Sequence, residues 1–298
     1  MLARCELCGV GEHDVVLREG STAILRCELC GLMFYVPRPT SDALHGHYCD
    51  PVANKYFEPD RWAAAVALSV EASVERERAQ LEALWRTHAT GLPLGEQPRF
   101  LHVACTFTPT LDAAVRAGWQ SSCLYLVKPA VEWAADALGV SGRVLPLDGA
   151  TDFHVDGVFH IVFVSHVLEH HPLPQKLMRA LGRLVDPRGI MVVAVPNGRC
   201  LPARMDFSAW EWKAYPDHLY YFSDASLRRM AKRAGLDVAA SWSIFGDADT
   251  KGVREHVRGC LRLDAEPELD TVINALGDAR LLPDLRLAAT PSRGAPLR

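Results

Sequence analysis

Short apolar runs alternate with helical stretches between residues 99 and 195 of this chain. A strand that is followed by a helix and then by another strand predicts parallel pairing, with crossover helices on both faces of one sheet. We therefore expect an α/β fold whose ligand crevice lies beyond the carboxyl ends of the strands. Strands are predicted near Phe100–Ala104, Cys123–Val127, Val144–Leu147, Phe159–Val164 and Ile190–Val195, and helices near Thr110–Ala117, Ala130–Leu138 and Pro174–Val185.

Two Cys-x2-Cys pairs lie near the start of the chain, and a glycine follows each pair directly. The two-residue spacer lets both thiolates of a pair bind one ion, and the glycine permits the tight turn beneath them. Two such pairs complete a tetrahedral shell with no open position, so the pattern predicts a structural zinc ion rather than a catalytic one. His13 is an alternative ligand that four cysteines make unnecessary. The predicted ligands are Cys5, Cys8, Cys27 and Cys30.

The composition excludes several classes of partner. The chain has 298 residues, of which 49% are hydrophobic and 23% are charged, as expected of a globular protein. Its formal net charge of -4 provides no long-range attraction for nucleic acid or for an anionic membrane surface. No apolar run approaches the roughly 20 residues of a membrane span, and no signal-like segment accompanies the nine cysteines. We expect a cytoplasmic protein, and a protein partner or homo-oligomer stays open.

Four segments carry a likeness to a known family: Phe159–His170, Leu181–Asn197, Pro216–Ser223 and Leu227–Gly235. Together with the cysteine pairs, they resemble class I S-adenosylmethionine-dependent methyltransferases, and most closely the branch that has an amino-terminal zinc ribbon and includes sugar C-methyltransferases. The resemblance implies a Rossmann-like, mostly parallel sheet with a final antiparallel hairpin. It also implies S-adenosylmethionine as cofactor and a small acceptor such as a sugar or a natural-product intermediate.

This resemblance suggests a division of the chain into four parts. A zinc ribbon is expected over residues 1–50 and an alanine-rich helical linker over residues 51–95. The Rossmann-like methyltransferase domain is expected over residues 96–250. The last part, residues 251–298, is rich in proline, arginine and alanine and is expected to be a partly disordered extension.

The turn after the first predicted strand departs from the family pattern. The family has an acidic residue followed by a Gly-x-Gly turn there, whereas this chain has His102 and then Ala104, Thr106 and Thr108. Glycines let the backbone approach the methionine part of the cofactor, and Cβ atoms narrow that approach. By the resemblance, His102, Ala104 and Thr106 are the expected cofactor contacts of this turn.

Two other positions at the cofactor site depart from the family pattern, and one keeps it. Lys128 replaces the carboxylate that usually accepts hydrogen bonds from the ribose hydroxyls, and a lysine cannot accept one. His160 replaces an aspartate of the fourth strand, while Asp148 keeps a position for an adenine contact. By the resemblance, Ser165 and His166 line the cofactor and substrate pockets.

Candidates for proton transfer follow the fourth predicted strand and the Pro-Asp-His motif. By the resemblance, His218 is a general base near the substrate, with Tyr220 as a nearby hydroxyl, and His170 serves in substrate positioning or proton removal. The alternative for Glu169 and His170 is a cap that ties the loop to the sheet. The alternative for the region of Tyr220 is a buried aromatic strand, with Ser223 starting the next helix.

Three functions remain open from the sequence. The first is methyl transfer, with the aromatic segment 210–215 covering the acceptor, although that segment is equally compatible with a lid packed on the ribbon. The second is a non-catalytic pseudo-methyltransferase that serves as a binding or scaffold module. The third is a crevice redirected by Lys128 toward a phosphorylated ligand.

Overall fold

The structure is a computed structural model, and its described residues are 4–49, 74–75, 77–87, 97–106, 108–148, 153, 155–214, 217–244, 282 and 284–292. The strands are β1 (His13–Glu19), β2 (Thr22–Cys27), β3 (Met33–Val36), β4 (Arg99–Ala104), β5 (Gln120–Tyr125), β6 (Ser141–Val144), β7 (Phe159–Ser165), β8 (Val185–Pro196), β9 (Tyr220–Tyr221), β10 (Leu236–Ile244) and β11 (Asp284–Pro291). The helices are α1 (Ser41–Cys49), α2 (77–87), α3 (Pro109–Arg116), α4 (Lys128–Leu138), α5 (Pro174–Gly182), α6 (Leu201–Met205) and α7 (Asp224–Arg233), with a short 3-10 helix at Glu211–Lys213.

The main sheet has seven strands in the order β10-β11-β8-β7-β4-β5-β6. The strands from β4 to β8 pair in parallel, whereas β11 is antiparallel to both β8 and β10. All seven residues of β7 are buried, as expected for a central strand covered on both faces. The predicted α/β fold, with its Rossmann-like sheet and final antiparallel hairpin, is confirmed.

The amino-terminal strands form a separate four-stranded sheet that includes one strand from the main domain. The order is β1-β2-β3-β9, and all pairs are antiparallel. The backbone N–H of Tyr35 also donates to the carbonyl of Leu219 at 3.0 Å. The ribbon is therefore attached to the main domain by strand pairing as well as by side-chain packing.

The linker contributes a helix that packs against the sheet. On α2, the ring of Trp85 lies 6.2 Å from Trp119 and 5.7 Å from His160, measured between centroids. His160 Nδ1 in turn accepts the backbone N–H of Arg99 at 3.0 Å, which makes it a structural residue of the core. Most of the predicted linker lies outside the described residues. None of the helices in the described ranges is long and apolar enough to span a membrane.

One segment of the predicted carboxy-terminal extension is a strand of the main sheet. Asp284–Pro291 forms β11, which lies between β8 and β10. Leu285, Leu287 and Ala288 are fully buried there. The two neighbouring strands satisfy the backbone of this segment and cover its short apolar pattern. The rest of the extension, apart from Leu282 and Ser292, lies outside the described residues.

One predicted strand is displaced. The third parallel strand is Ser141–Val144 rather than the predicted Val144–Leu147. As the last strand of its sheet, β6 has only one neighbour, and three of its four residues are exposed, so it needs no apolar run. The apolar residues Leu145 and Leu147 follow the strand and are buried in the core.

Candidate functional site

The candidate site lies where the central parallel strands end. Ala104 pairs with both Tyr125 and Ser165, and Ser165 pairs with Ala194, so the strands end in one row. Immediately beyond β7, His166 has a φ of 48°. A non-glycine residue in the left-handed region is uncommon and often marks a functional turn. This turn directs the chain from β7 across the carboxyl edge of the sheet.

A buried carboxylate is at the centre of the site. Glu169 is 0% exposed, and neither of its oxygens accepts a hydrogen bond from a described residue. Its Oε1 lies 3.3 Å from Nδ1 of His166 and 3.9 Å from Nε2 of His170. Burial raises the pKa of Glu169, but the contact with His166 and the nearby histidines outweigh that effect, so the net shift is downward. Glu169 is therefore an anion surrounded by imidazoles.

The ring of His218 is held in one orientation by the aromatic segment. Its Nδ1 lies 2.7 Å from the carbonyl oxygen of Trp212, which can only accept, so Nδ1 carries the proton. The ring also stacks on the indole of Trp212 at 6.1 Å, with an angle of 7° between the planes. Burial lowers the pKa of His218. The neutral ring consequently has a lone pair on Nε2.

Helix α1, from the ribbon side, completes the histidine cluster. The hydroxyl of Tyr48 lies 2.8 Å from Nδ1 of His170, and the ring of His170 lies edge-on to His218 at 4.8 Å. Burial lowers the pKa of His170 to about 4. His47, also on α1, forms an ion pair with Asp217. The two site histidines are therefore positioned partly by a helix that precedes the main domain.

His166 differs from the other two histidines in the direction of its pKa shift. It lies 3.3 Å from Glu169 and 3.6 Å from the carboxylate of Asp284 on β11. Burial lowers the pKa of His166, but the charges of Asp284 and Glu169 outweigh burial and the net shift is upward. Its ring also stacks on Trp212, with centroids 5.9 Å apart.

The structure places His102 inside the core and not at the crevice surface. Its Nδ1 lies 2.9 Å from the hydroxyl of Tyr125, and its Nε2 lies 3.3 Å from Oγ1 of Thr108. The ring stacks on Phe100, and burial lowers its pKa to about 3. In place of the family's acidic residue, this chain has a neutral histidine that is hydrogen-bonded within the protein.

The glycine-free turn has a backbone that ordinary residues can adopt. Among the described residues, His166 is the single non-glycine residue with positive φ, so Ala104, Thr106 and Thr108 are not strained. Ala104 is fully buried. Oγ1 of Thr106 is also buried and makes no hydrogen bond to any described residue. An unpaired hydroxyl at this position is available to a polar ligand.

Other predicted site residues lie apart from the histidine cluster. The side chain of Lys128 is 75% exposed and forms an ion pair with Glu132, one turn further along α4. Asp148 is exposed just beyond β6. Tyr220 is 1% exposed, and its hydroxyl donates to the carbonyl of Pro172 at 2.8 Å. Tyr220 therefore lies in a buried aromatic strand, which is the alternative that the sequence offered to a catalytic hydroxyl.

The aromatic segment has two roles. Trp210 is 5% exposed and packs with Phe207 and Tyr221 against the ribbon sheet, as a hydrophobic lid would. Trp212, two residues later, instead stacks on the rings of His166 and His218. Helix α7 starts after Ser223, as the same alternative predicts, because Ser223 and Ser226 form a capping box.

The four predicted zinc ligands converge at one point of the ribbon. Their sulfur atoms all lie within 4.8 Å of one another. Cys5 and Cys30 are 3.5 Å apart and Cys8 and Cys27 are 3.3 Å apart, close to the ~3.8 Å of a tetrahedral shell with 2.3 Å bonds. The following glycines have φ of 75° and 71°, as the tight turns require. The cluster could hold a zinc ion, and His13 instead packs edge-on to Phe34.

Sequence reasoning missed three residues of the site: Tyr48, Asp217 and Asp284. No motif in the sequence singles out Tyr48, and Asp284 lies in the predicted carboxy-terminal extension. Both reach the site through contacts that are distant in sequence. Asp217 directly precedes His218, so its position in the Pro-Asp-His motif was an available signal.

Comparison with known proteins identifies the family. The family model described as "Methyltransferase domain" matches residues 56–241. The chain belongs to this family. A curated relative, a ubiquinone biosynthesis O-methyltransferase of Neisseria meningitidis, is 31% identical over 105 residues, which is 33% of this chain and 40% of the relative. The chain thus matches well under half the length of that relative.

Solved structures share the fold at low sequence identity. A putative sarcosine dimethylglycine methyltransferase of Galdieria sulphuraria is 17% identical, with a TM-score of 0.52 over 78% of this chain and 98% of that one. A 1,6-didemethyltoxoflavin-N1-methyltransferase of Burkholderia thailandensis, solved with S-adenosylhomocysteine, is 15% identical, with a TM-score of 0.52 over 94% and 99%. The cyclase SpnF is 17% identical, with the same TM-score over 87% and 99%. The fold is that of class I S-adenosylmethionine-dependent methyltransferases, and it carries more than one activity.

Proposed function

We propose that this chain transfers a methyl group from S-adenosylmethionine to a small-molecule acceptor, with His218 as the proton acceptor. The observation that carries this proposal is the hydrogen bond from His218 Nδ1 to the carbonyl of Trp212, which leaves the lone pair on Nε2 of a ring that belongs to one buried cluster with Glu169 and His170. Membership of the methyltransferase family supplies the reaction class. A sugar or a planar natural product is the acceptor we favour, because aromatic side chains suit such acceptors and Trp212 packs against the histidine cluster.

Some residues on the cofactor side of the crevice are suited to bind S-adenosylmethionine, and one is not. The unpaired Oγ1 of Thr106 and the carboxyl end of β7 at Ser165 are suited to hold polar groups of the cofactor. Lys128 does not fit the ribose, because it cannot accept a hydrogen bond and is paired with Glu132. When bound, S-adenosylmethionine supplies an electrophilic methyl group. In our proposal, Lys128 does not bind the ribose of the cofactor.

The chain's own residues would orient the acceptor and take its proton. Nε2 of His218 accepts the proton, while the Trp212 carbonyl keeps the ring in the required tautomer. The carboxylate of Glu169 then stabilises the imidazolium that forms, as a buried carboxylate does for a catalytic histidine. General-base catalysis of this kind contributes about 10²- to 10⁴-fold in rate.

The test combines binding and turnover. Calorimetric titration with S-adenosylhomocysteine should detect binding, and labelled methyl groups should transfer to an acceptor in a metabolite extract. His218→Asn keeps a donor near the Trp212 carbonyl but removes Nε2, so it should bind the product nucleoside normally and lose about 10²-fold or more in rate. His45→Asn, on the exposed side of α1, is the matched control. Absence of nucleoside binding at millimolar concentration would reject the proposal.

The non-catalytic alternative rests on the cofactor side. Ala104 is fully buried at the end of β4, and Lys128 replaces the ribose-binding carboxylate. A scaffold module would bind no S-adenosylhomocysteine and would transfer no labelled methyl group, which the same two assays detect. The redirected, phosphate-binding crevice has weaker support, because Lys128 is largely exposed and already paired with Glu132.

We also propose that the methyltransferase domain runs from about residue 96 through β11. The family match ends at residue 241, before this strand. Since β11 pairs with β8 over six residues, its removal would leave two strands of the sheet without their shared neighbour.

A further inference from the structure

We infer that Glu169, His170 and His218 form a second metal site, separate from the cysteine cluster, that binds a divalent transition-metal ion such as Zn²⁺. One ligand atom from each residue lies within 4.8 Å of the others, and all three side chains are buried. The inference concerns the same pocket as the proposed function, but it does not rest on methyl transfer.

The carboxylate of Glu169 provides the first argument. A buried carboxylate normally accepts several hydrogen bonds, because its desolvation is otherwise costly. Both oxygens of Glu169 lack such a bond among the described residues, although the residue is completely buried. His166 is the nearest partner and is shared with Asp284 on its other nitrogen. Oε1 of Glu169 is in ion-pair contact with Nδ1 of His166, whereas Oε2 makes no hydrogen bond to a described residue and is available to a cation.

The two histidines provide the second argument, because each is fixed through the nitrogen that a metal would not use. Nδ1 of His218 donates to the Trp212 carbonyl at 2.7 Å, and Nδ1 of His170 lies 2.8 Å from the hydroxyl of Tyr48. Metal-binding histidines show this arrangement, in which an outer hydrogen bond fixes the tautomer and ring orientation. The lone pair on Nε2 of His218 is therefore left for coordination, and that on Nε2 of His170 is left when Nδ1 of His170 donates to Tyr48.

The distances allow one ion only if the side chains move closer together. Nε2 of His170 lies 3.9 Å from Oε1 of Glu169. Two ligands of a tetrahedral ion, each bonded at about 2.1 Å, lie about 3.4 Å apart. Separations of up to 4.8 Å would therefore have to shrink by at most about 1.4 Å when an ion binds. The side chain of His166, beside Glu169, is 29% exposed.

Two imidazoles and one carboxylate form the ligand set of catalytic zinc and of non-haem iron, in which further positions stay open. The cysteine cluster has four thiolates and no open position, so the two sites differ in chemistry. A metal ion and a proton compete for Nε2 of His218. The metal-bound pocket would therefore bind an acceptor oxygen directly, whereas the metal-free pocket would use His218 as a base.

Metal content tests the inference without cofactor or acceptor. Purified full-length protein is saturated with Zn²⁺, freed of excess ion by gel filtration and measured by mass spectrometry. We expect wild type to retain one more zinc per chain than Glu169→Gln and His218→Asn, with zinc affinity at the site at least about 100-fold weaker in each variant. Cys27→Ser should lose the other ion and keep this one, and His45→Asn should match wild type. Equal zinc content in wild type and both site variants would overturn the inference.

A spectroscopic measurement on wild type removes the dependence on variants that fold poorly. With zinc in the cysteine cluster, added Co²⁺ should give visible d–d bands without a thiolate charge-transfer band. Absence of such bands would also overturn the inference. Zinc binding without S-adenosylhomocysteine binding would support the metal site and reject methyl transfer, and the opposite result would do the reverse.

Discussion

Acid should destabilise this fold in part through His102, the buried histidine of β4. Burial lowers its pKa to about 3, whereas the same side chain in the unfolded chain has a pKa of about 6.5. Between these values the unfolded state binds more protons than the folded state. Stability is therefore lost as the pH falls below about 6.5. Linkage gives a loss of about 2 kcal/mol between pH 7 and pH 5 from this one group.

His102→Gln tests this reasoning, because glutamine does not titrate but can still donate and accept hydrogen bonds near Tyr125 and Thr108. Urea unfolding of wild type and variant at pH 7 and pH 5 gives the free energy of unfolding. We expect the variant to lose about 2 kcal/mol less than wild type over this interval, whatever its absolute stability. His45→Gln, an exposed histidine, should follow wild type. Equal losses in wild type and His102→Gln would refute a buried, neutral His102.

Two further changes probe the cofactor side and the ribbon. Lys128→Glu restores a carboxylate at the end of β5, where the family binds the ribose, so calorimetry should report S-adenosylhomocysteine binding tighter by about 1 kcal/mol. An unchanged dissociation constant would mean that the ribose lies elsewhere. Cys27→Ser removes one thiolate of the cysteine cluster, so metal analysis should show loss of that zinc and a thermal scan should show a lower melting temperature. Full zinc retention with unchanged melting would contradict a four-thiolate site.

Local sequence signals predicted those elements whose own residues determine them. The buried runs of β4, β7 and β8 stand out because central parallel strands are apolar along their whole length. The start of α7 was predictable because Ser223 caps it through a local hydrogen bond with Ser226. The cysteine cluster was predictable from spacing, since the two-residue spacer of each pair brings both of its thiolates close together.

Elements that depend on distant partners were not predictable in this way. β6 is a short, polar edge strand, and β11 acquires its conformation from the two strands beside it. At the site, His170 could be proposed from its motif, but its partner Tyr48 is 122 residues away. Likewise, Asp284 approaches His166 only because β11 lies next to β8 in the sheet.

The ribbon helps to position the histidine cluster and does not only stabilise the chain. Strand β3 pairs with β9, and the adjoining bond from Tyr35 to Leu219 lies one residue after His218. Helix α1 then places the hydroxyl of Tyr48 on Nδ1 of His170. Shifts of the ribbon would therefore reach both site histidines.

Tyr48→Phe isolates this connection, because it removes one hydroxyl and keeps the aromatic ring. Loss of one hydrogen bond costs about 0.5–1.5 kcal/mol, so kcat should fall by about 2- to 10-fold as the ring of His170 loses its fixed orientation. Affinity for S-adenosylhomocysteine should not change, because Tyr48 contacts the acceptor side. Phe34→Leu, in the ribbon core next to β9, keeps the Tyr48 hydroxyl and shows how much of any loss comes from looser ribbon packing alone. Comparable loss of nucleoside affinity in Tyr48→Phe, or an unchanged kcat, would show that the ribbon does not position this histidine.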